Sequence, residues 1–310
     1  MGAYIARRIL ITLPLLLAVS FLTFLLISFS PVEPAEVILR AQEVPLITDE
    51  LIERTNEELG LDKPFIIQYF HWLISSLQLD FGNSYVKNEP VWNLVGPAFI
   101  NTFKLTVAST IVIIIFSVLI GVICAVNERK MVDRWMRTIL FVFTATPSYL
   151  LGAVCIYLFS VKLDLLPTSG MEGVESYILP VLVTSLGYIG IYFRNIRSAM
   201  INNLNEDYVL YGRASGLSEY TITWHILRNS LQVAVSIFCM AIPLILGGTV
   251  VIENVFAWPG LGSLSIGAIL NRDFPIIQAY VLIVAVAFVI FNMISDILNA
   301  MLNPRIRNDS

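Results

Sequence analysis

Charge is what this 310-residue chain has least of: Asp, Glu, Lys and Arg make up 14% of it, against 57% for hydrophobic residues. Soluble domains carry about 25% charged residues, so the deficit excludes an ordinary water-soluble enzyme and favours an integral membrane protein. Histidine is almost missing. His71 and His225 are the only two, and no H-E-x-x-H occurs, which excludes a metalloprotease of that type. No lysine follows a glycine, so the chain has no G-x-x-x-x-G-K-[ST] loop and no Walker nucleotide site. Cysteine is sparse too: Cys124, Cys155 and Cys239 sit in apolar runs without C-x-x-C spacing. They read as small buried hydrophobes, not redox or metal groups.

What is present is apolar sequence in long blocks. Mean hydropathy is +0.78. Six stretches lack Asp, Glu, Lys and Arg: Ile9–Phe29, Leu105–Val126, Thr138–Val161, Ser176–Phe193, Asn229–Ile252 and Phe274–Ser295. A spanning helix needs about 20 such residues, so an all-α integral membrane protein with six transmembrane helices is expected. Ser176–Phe193 is the shortest and holds Pro180, Gly187 and Gly190, which a membrane bundle tolerates because neighbours re-satisfy the freed backbone. Arg7 and Arg8 before the first stretch also suit a secretory signal. The run is too long for that, and no small-x-small site follows before Pro31, so a retained helix is expected.

Charge placement orients the spans. With the amino end inside, the inner segments hold Arg7, Arg8, Arg129, Lys130, Arg134, Arg137, Arg194, Arg197, Arg213, Arg228, Arg305 and Arg307. The outer segments hold Arg40, Arg54, Lys63, Lys87, Lys162 and Arg272, with Lys104 at an outer edge, and acids cluster between Glu33 and Glu89. Lys and Arg in short loops favour the cytoplasm, so both termini are expected inside. The chain then divides into an anchor helix (1–30), an external helical segment (31–97), a five-helix block (98–302) and a cytoplasmic tail (303–310). In the external segment, Thr48-Asp-Glu-Leu-Ile-Glu53 reads as a capped helix start, Lys63-Pro64 as its break, and Ile66–Leu79 as a second amphipathic run.

Motifs of catalysis fail on context. Gly260–Gly267 has the wrong spacing for a dinucleotide loop, and Asp80-Phe81-Gly82 lacks every companion of the kinase triplet. Only Asp296 lies deep in an expected span, with Lys104 and Glu253 at outer margins, which is too sparse for a proton relay. Asp296 is read as pairing with an inner-face arginine or a backbone group. A secondary transporter and an intramembrane enzyme remain rival classes; the first lacks a relay and the second lacks a nucleophile–base pair.

The loop 194–228 carries the most information. Asn205 suits an N-cap for a short helix starting at Glu206-Asp207, and Gly216 suits its left-handed stop. Ser218-Glu219 suits the cap of a second helix carrying Ile222, Trp224, Ile226 and Leu227. Two short helices turning at a glycine form a stiff protrusion, or else a solvated amphipathic connector.

Glu206-Asp-Tyr-Val-Leu-Tyr-Gly-Arg-Ala-Ser-Gly216-Leu-Ser, followed by His225-Ile-Leu-Arg-Asn229, resembles the EAA loop of binding-protein-dependent ABC permeases, in the dipeptide, oligopeptide and nickel branch. Gly216 and Ile226 match the general pattern; Arg228-Asn229 replaces its final Leu-Pro, and Gly212 stands where alanine is common. Further motifs in the branch's order are Tyr4-Ile-Ala-Arg-Arg8, Leu59-Gly-Leu-Asp-Lys-Pro64, Asp80-Phe-Gly-Asn-Ser-Tyr85, Ile252-Glu-Asn-Val-Phe-Ala-Trp-Pro-Gly-Leu-Gly262, Asn271-Arg-Asp-Phe-Pro275 and Asn303-Pro-Arg-Ile-Arg307.

The resemblance implies the type I importer permease fold in a bacterial cytoplasmic (inner) membrane. It implies a second homologous permease, two cytoplasmic ABC ATPases and an external substrate-binding protein as partners, with no nucleic acid. It implies no catalysis and no cofactor in this chain, ATP and magnesium being held by the ATPases. Glu206, Asp207, Tyr208, Arg213, Ala214, Gly216, Leu217 and Ile226 are the ATPase-coupling candidates that it implies. Glu253, Phe256, Trp258, Pro259 and Asp273 are candidates for an external gate or binding-protein contact. The segments around Glu253 and Asp273 look closest to nickel permeases, including those for opine-like metal chelates, which implies a chelated metal as substrate; peptide import is the alternative.

Overall fold

A computed structural model describes the backbone of residues 2–30 and 32–302, and the side chains of 10–30, 32–231, 238 and 241–298. The tail motif from Asn303 and the side chains of Arg7, Arg8 and Cys239 lie outside the described residues. The described fold is all helical, in the order α1 (Gly2–Ser28), α2 (Pro34–Ala41), α3 (Asp49–Leu59), α4 (Phe65–Leu77), α5 (Val91–Val126), α6 (Met131–Ala145), α7 (Ser148–Cys155, continued by a π-helical turn to Lys162), α8 (Glu175–Leu204), α9 (Asp207–Ala214), α10 (Glu219–Val255), α11 (Leu261–Leu270) and α12 (Phe274–Leu302).

Among the described residues, Leu10–Ser28, Val91–Val126, Glu175–Leu204 and Phe274–Leu298 are long and apolar enough to cross a membrane. A fifth crossing is possible through α6 and α7 together. That stretch, expected as one span, is bent by 102°. The break falls at Thr146-Pro147, where both residues have extended backbone, ψ 130° and 136°. Proline has no N–H to continue the ladder and pushes the preceding residue out of the helical region. The expected span Asn229–Ile252 lies inside the 37-residue α10, part of which has side chains outside the described residues.

The chain forms two compact units: residues 1–101 with 259–289, and residues 102–258 with 290–310. In the first, α1 meets α4 through edge-on rings, Phe21 against Phe65 and Tyr69, while Ser20 Oγ and Tyr69 Oη share a 2.9 Å hydrogen bond. Thr48 Oγ1 caps α3 by accepting from Leu51 N–H. The helix ends at Gly60 (φ +68°), before Lys63-Pro64, because the left-handed glycine lets Leu61 N–H return to Asn56 O. A separate core gathers Phe81, Val91, Val95, Leu261, Ala268 and Ile276.

The second unit is built around α8. Although α8 is the least hydrophobic of the candidate spans, it is the most buried. Its glycines explain the close packing. A Cβ on Gly190 would strike Thr144 Oγ1 and lie 2.8 Å from Leu140 O, so α8 meets α6 almost backbone to backbone. Ile113, Leu140, Phe193, Ile196, Met200, Val209 and Ile226 form one continuous core there.

Candidate functional site

The loop after α8 has the shape its residues dictate, with one cap reassigned. Asn205 closes α8, its Nδ2 donating back to Ile201 O at 3.1 Å, and its backbone (φ −94°, ψ 3°) lacks the extended conformation of an N-cap. Glu206, extended at φ −79° and ψ 150°, takes the N-cap place of α9 without a side-chain cap bond. Asp207 still lies in the first turn, where a carboxylate complements the helix dipole. Gly216 has φ +77°, and the N–H groups of Gly216 and Leu217 close on Arg213 O and Gly212 O. Ser218 Oγ then accepts from Thr221 N–H at 3.2 Å and opens α10. No separate second helix exists, because α10 continues unbroken to Val255. Arg213 makes two bonds to Glu219 across the turn, at 2.9 and 3.3 Å; exposed as it is, the pair adds at most about 1 kcal/mol.

Burial sorts the loop residues into two sets. Glu206, Asp207, Tyr208, Arg213, Ala214, Gly216 and Leu217 are exposed, whereas Ile226 is buried in the core beside Val209 and Ile222. Ile226 therefore anchors the loop from within. Sequence reading did not select the exposed apolar side chains Leu210 (71%), Tyr211 (73%), Tyr220 (83%) and Trp224 (57%). Their signal was available: large apolar and aromatic residues clustered around a glycine turn, once exposed, mark a contact surface.

Also unselected was Asp133, the one acid of α6, with no exposure. Arg197 of α8 grips it with Nε to Oδ1 at 2.7 Å and Nη2 to Oδ2 at 2.8 Å. Arg137 Nε lies 3.4 Å away, and Arg129 N–H donates to Oδ2 at 3.3 Å.

The outer candidates fall in both units. In the second unit Glu253 is fully buried, and its Oε1 accepts from Thr102 Oγ1 at 2.6 Å and Thr249 Oγ1 at 3.2 Å. Trp258 is also fully buried, edge-on to Tyr177 at 4.6 Å, and its backbone N–H donates to the Glu253 backbone carbonyl. Phe256 packs in the same core as Leu105 and Leu179, and its carbonyl accepts from Gly170 N–H. In the first unit Pro259 O accepts from Asn101 Nδ2 at 3.0 Å. Asp273 is buried there and receives Ser84 Oγ at 2.5 Å and Tyr85 N–H at 3.1 Å. That clip fixes the loop from Gly82 to Pro90. Burial, and then the Asp273 charge, push the Tyr85 phenol up to about 12. Lys87, Asn93, Asn101, Gly267 and Asn271 line a neighbouring cleft of about 460 Å³ within this unit.

Residues 117–308 match the family described as Binding-protein-dependent transport system inner membrane component, and residues 1–108 match its N-terminal membrane component. The chain belongs to this family. It is therefore the permease subunit of an ABC importer, a multi-pass component of the inner membrane, and ATP is hydrolysed by separate subunits. It is 54% identical over 307 residues, 99% of each chain, to "Metal-staphylopine import system permease protein CntB" of Staphylococcus aureus (strain NCTC 8325 / PS 47). It is 36% identical over 305 residues, 98% of each, to "Glutathione transport system permease protein GsiC" of Escherichia coli (strain K12). Among solved structures, "Crystal structure of an amino acid ABC transporter with histidines" matches with a TM-score of 0.52 at 14% identity, covering 67% of this chain and 94% of that one. That likeness concerns the fold alone.

Proposed function

We propose that this permease imports a divalent metal, nickel or cobalt, as a chelate with a small opine-like metallophore. The observation that carries the reading is the 54% identity, over nearly the full length of both chains, to a permease named for metal-staphylopine import. The glutathione permease at 36% identity supports peptide import as the second reading. Uptake of radiolabelled nickel, free and as its staphylopine complex, in cells with and without this subunit, separates them. Chelate uptake that needs the subunit and resists competition by glutathione supports the first. Uptake of labelled glutathione in its place supports the second.

The topology we infer has six spans with both ends cytoplasmic, supported by the basic inner loops. A helical segment over 31–97 and the turn from Glu253 to Asp273 then face outside, toward a loaded binding protein. The loop 194–228 faces inside and docks on an ATPase through Glu206, Asp207, Tyr208, Arg213, Ala214 and Leu217, with Gly216 shaping the turn and Ile226 anchoring it. A second homologous permease completes the pore. ATP binding closes the ATPase pair and moves the two loops, favouring the outward-facing arrangement; hydrolysis resets it. Glu253, Phe256, Trp258, Pro259 and Asp273 serve an external gate or the contact with the binding protein, their turns held by the contacts described above.

A further inference from the structure

The coupling loop is continuous with α8, which ends at Leu204, directly before Asn205 and Glu206. Two contacts join α8 to α6. Seven residues before the end of α8, Arg197 holds the buried Asp133 with both arms of its guanidinium. One helix turn pair further on, Gly190 lets α8 approach the α6 backbone at Leu140 and Thr144. Beyond that contact α6 stops at the 102° bend. Planar two-point pairing resists rotation as well as separation, which a single charge contact does not.

We propose that Asp133 is a positioning residue for energy coupling: through Arg197 it makes α6 and α8 one body, so that a push on the 206–226 loop swings α6 about Thr146-Pro147. This rests on the docking-loop reading above. Without the clamp, the push slides α8 along α6 and is lost before it reaches the bend.

The test uses the whole complex, permeases with ATPases and binding protein, in proteoliposomes, and reads ATP hydrolysed per substrate imported. For Asp133→Asn, ATPase co-purification and ATP turnover are expected to stay within twofold while import falls at least tenfold. Asp133→Glu should restore the ratio to within threefold of wild type. If Asp133→Asn fails to assemble, Arg197→Lys, which keeps the charge but not the fork, should show the same rise in ATP per substrate. Import and turnover falling in equal proportion, or neither changing, would overturn the proposal. The ratio is measured for whichever substrate the wild type imports. Failure of the metal-chelate reading therefore appears in the wild type, and failure of this inference only in the variants.

Discussion

The loop around Gly216 and the turn around Trp258 both carry family-like motifs, yet they spend those residues differently. In the loop around Gly216 most motif residues are exposed, and a few core side chains such as Val209 and Ile226 hold the protrusion in place. In the turn around Trp258, Glu253, Phe256 and Trp258 are buried, and the Glu253 carboxylate accepts from Thr102 and Thr249. A motif thus reports that residues are constrained without reporting by what. Burial separates the two: the motif residues around Gly216 are mostly exposed, and Glu253, Phe256 and Trp258 are buried in their own unit.

Substitutions should break the two regions in opposite ways. The largest effect on stability is expected from Trp258→Ala, at about 3–5 kcal/mol for a buried aromatic side chain. Its melting temperature should drop steeply, while the folded fraction still captures the ATPase subunit. Asp273→Ala leaves Ser84 and the Tyr85 N–H without their acceptor and should cost about 1–3 kcal/mol. In the same assay its melting point should fall less than that of Trp258→Ala. Gly216→Ala places a Cβ on left-handed backbone, a penalty of about 1–2 kcal/mol. Here melting should change modestly, and uptake should fall further than folding alone explains. The smallest effect on stability belongs to Tyr211→Ala, within about 0.5 kcal/mol for an exposed site. Its ATPase capture should nonetheless weaken about tenfold, equivalent to about 1.4 kcal/mol. Equal losses of stability and capture in Tyr211→Ala and Trp258→Ala would erase the distinction between the regions.

Local chemistry was legible in the sequence where one or two residues decide it. The Thr48 and Ser218 caps, the Gly216 stop and the start of α9 near Glu206-Asp207 were readable because capping depends on residues a few positions apart. Helix ends set by competition were less so: Gly60 stops α3 before Pro64 can, and Asn205 turns back to α8. The break at Pro147 was missed, because Thr138–Val161 is apolar throughout and reads as one span. Longer-range features escaped for the same reason. Nothing near Asp133 in the chain announces Arg197, and Gly190 reads as a helix weakness until Thr144 is seen against it. The burial of Trp258 was equally hidden, since the sequence offered it only as a candidate for an external gate or contact.

The most direct test of the central claim, that the exposed loop is the ATPase contact, is cross-linking from position 210. Leu210 is 71% exposed and takes no part in the core. In a background with the native cysteines replaced, Leu210→Cys in the assembled complex should cross-link to the ATPase subunit and, in intact cells, resist a membrane-impermeant maleimide. Labelling by that reagent from outside, with no cross-link to the ATPase, would contradict both the orientation and the docking role.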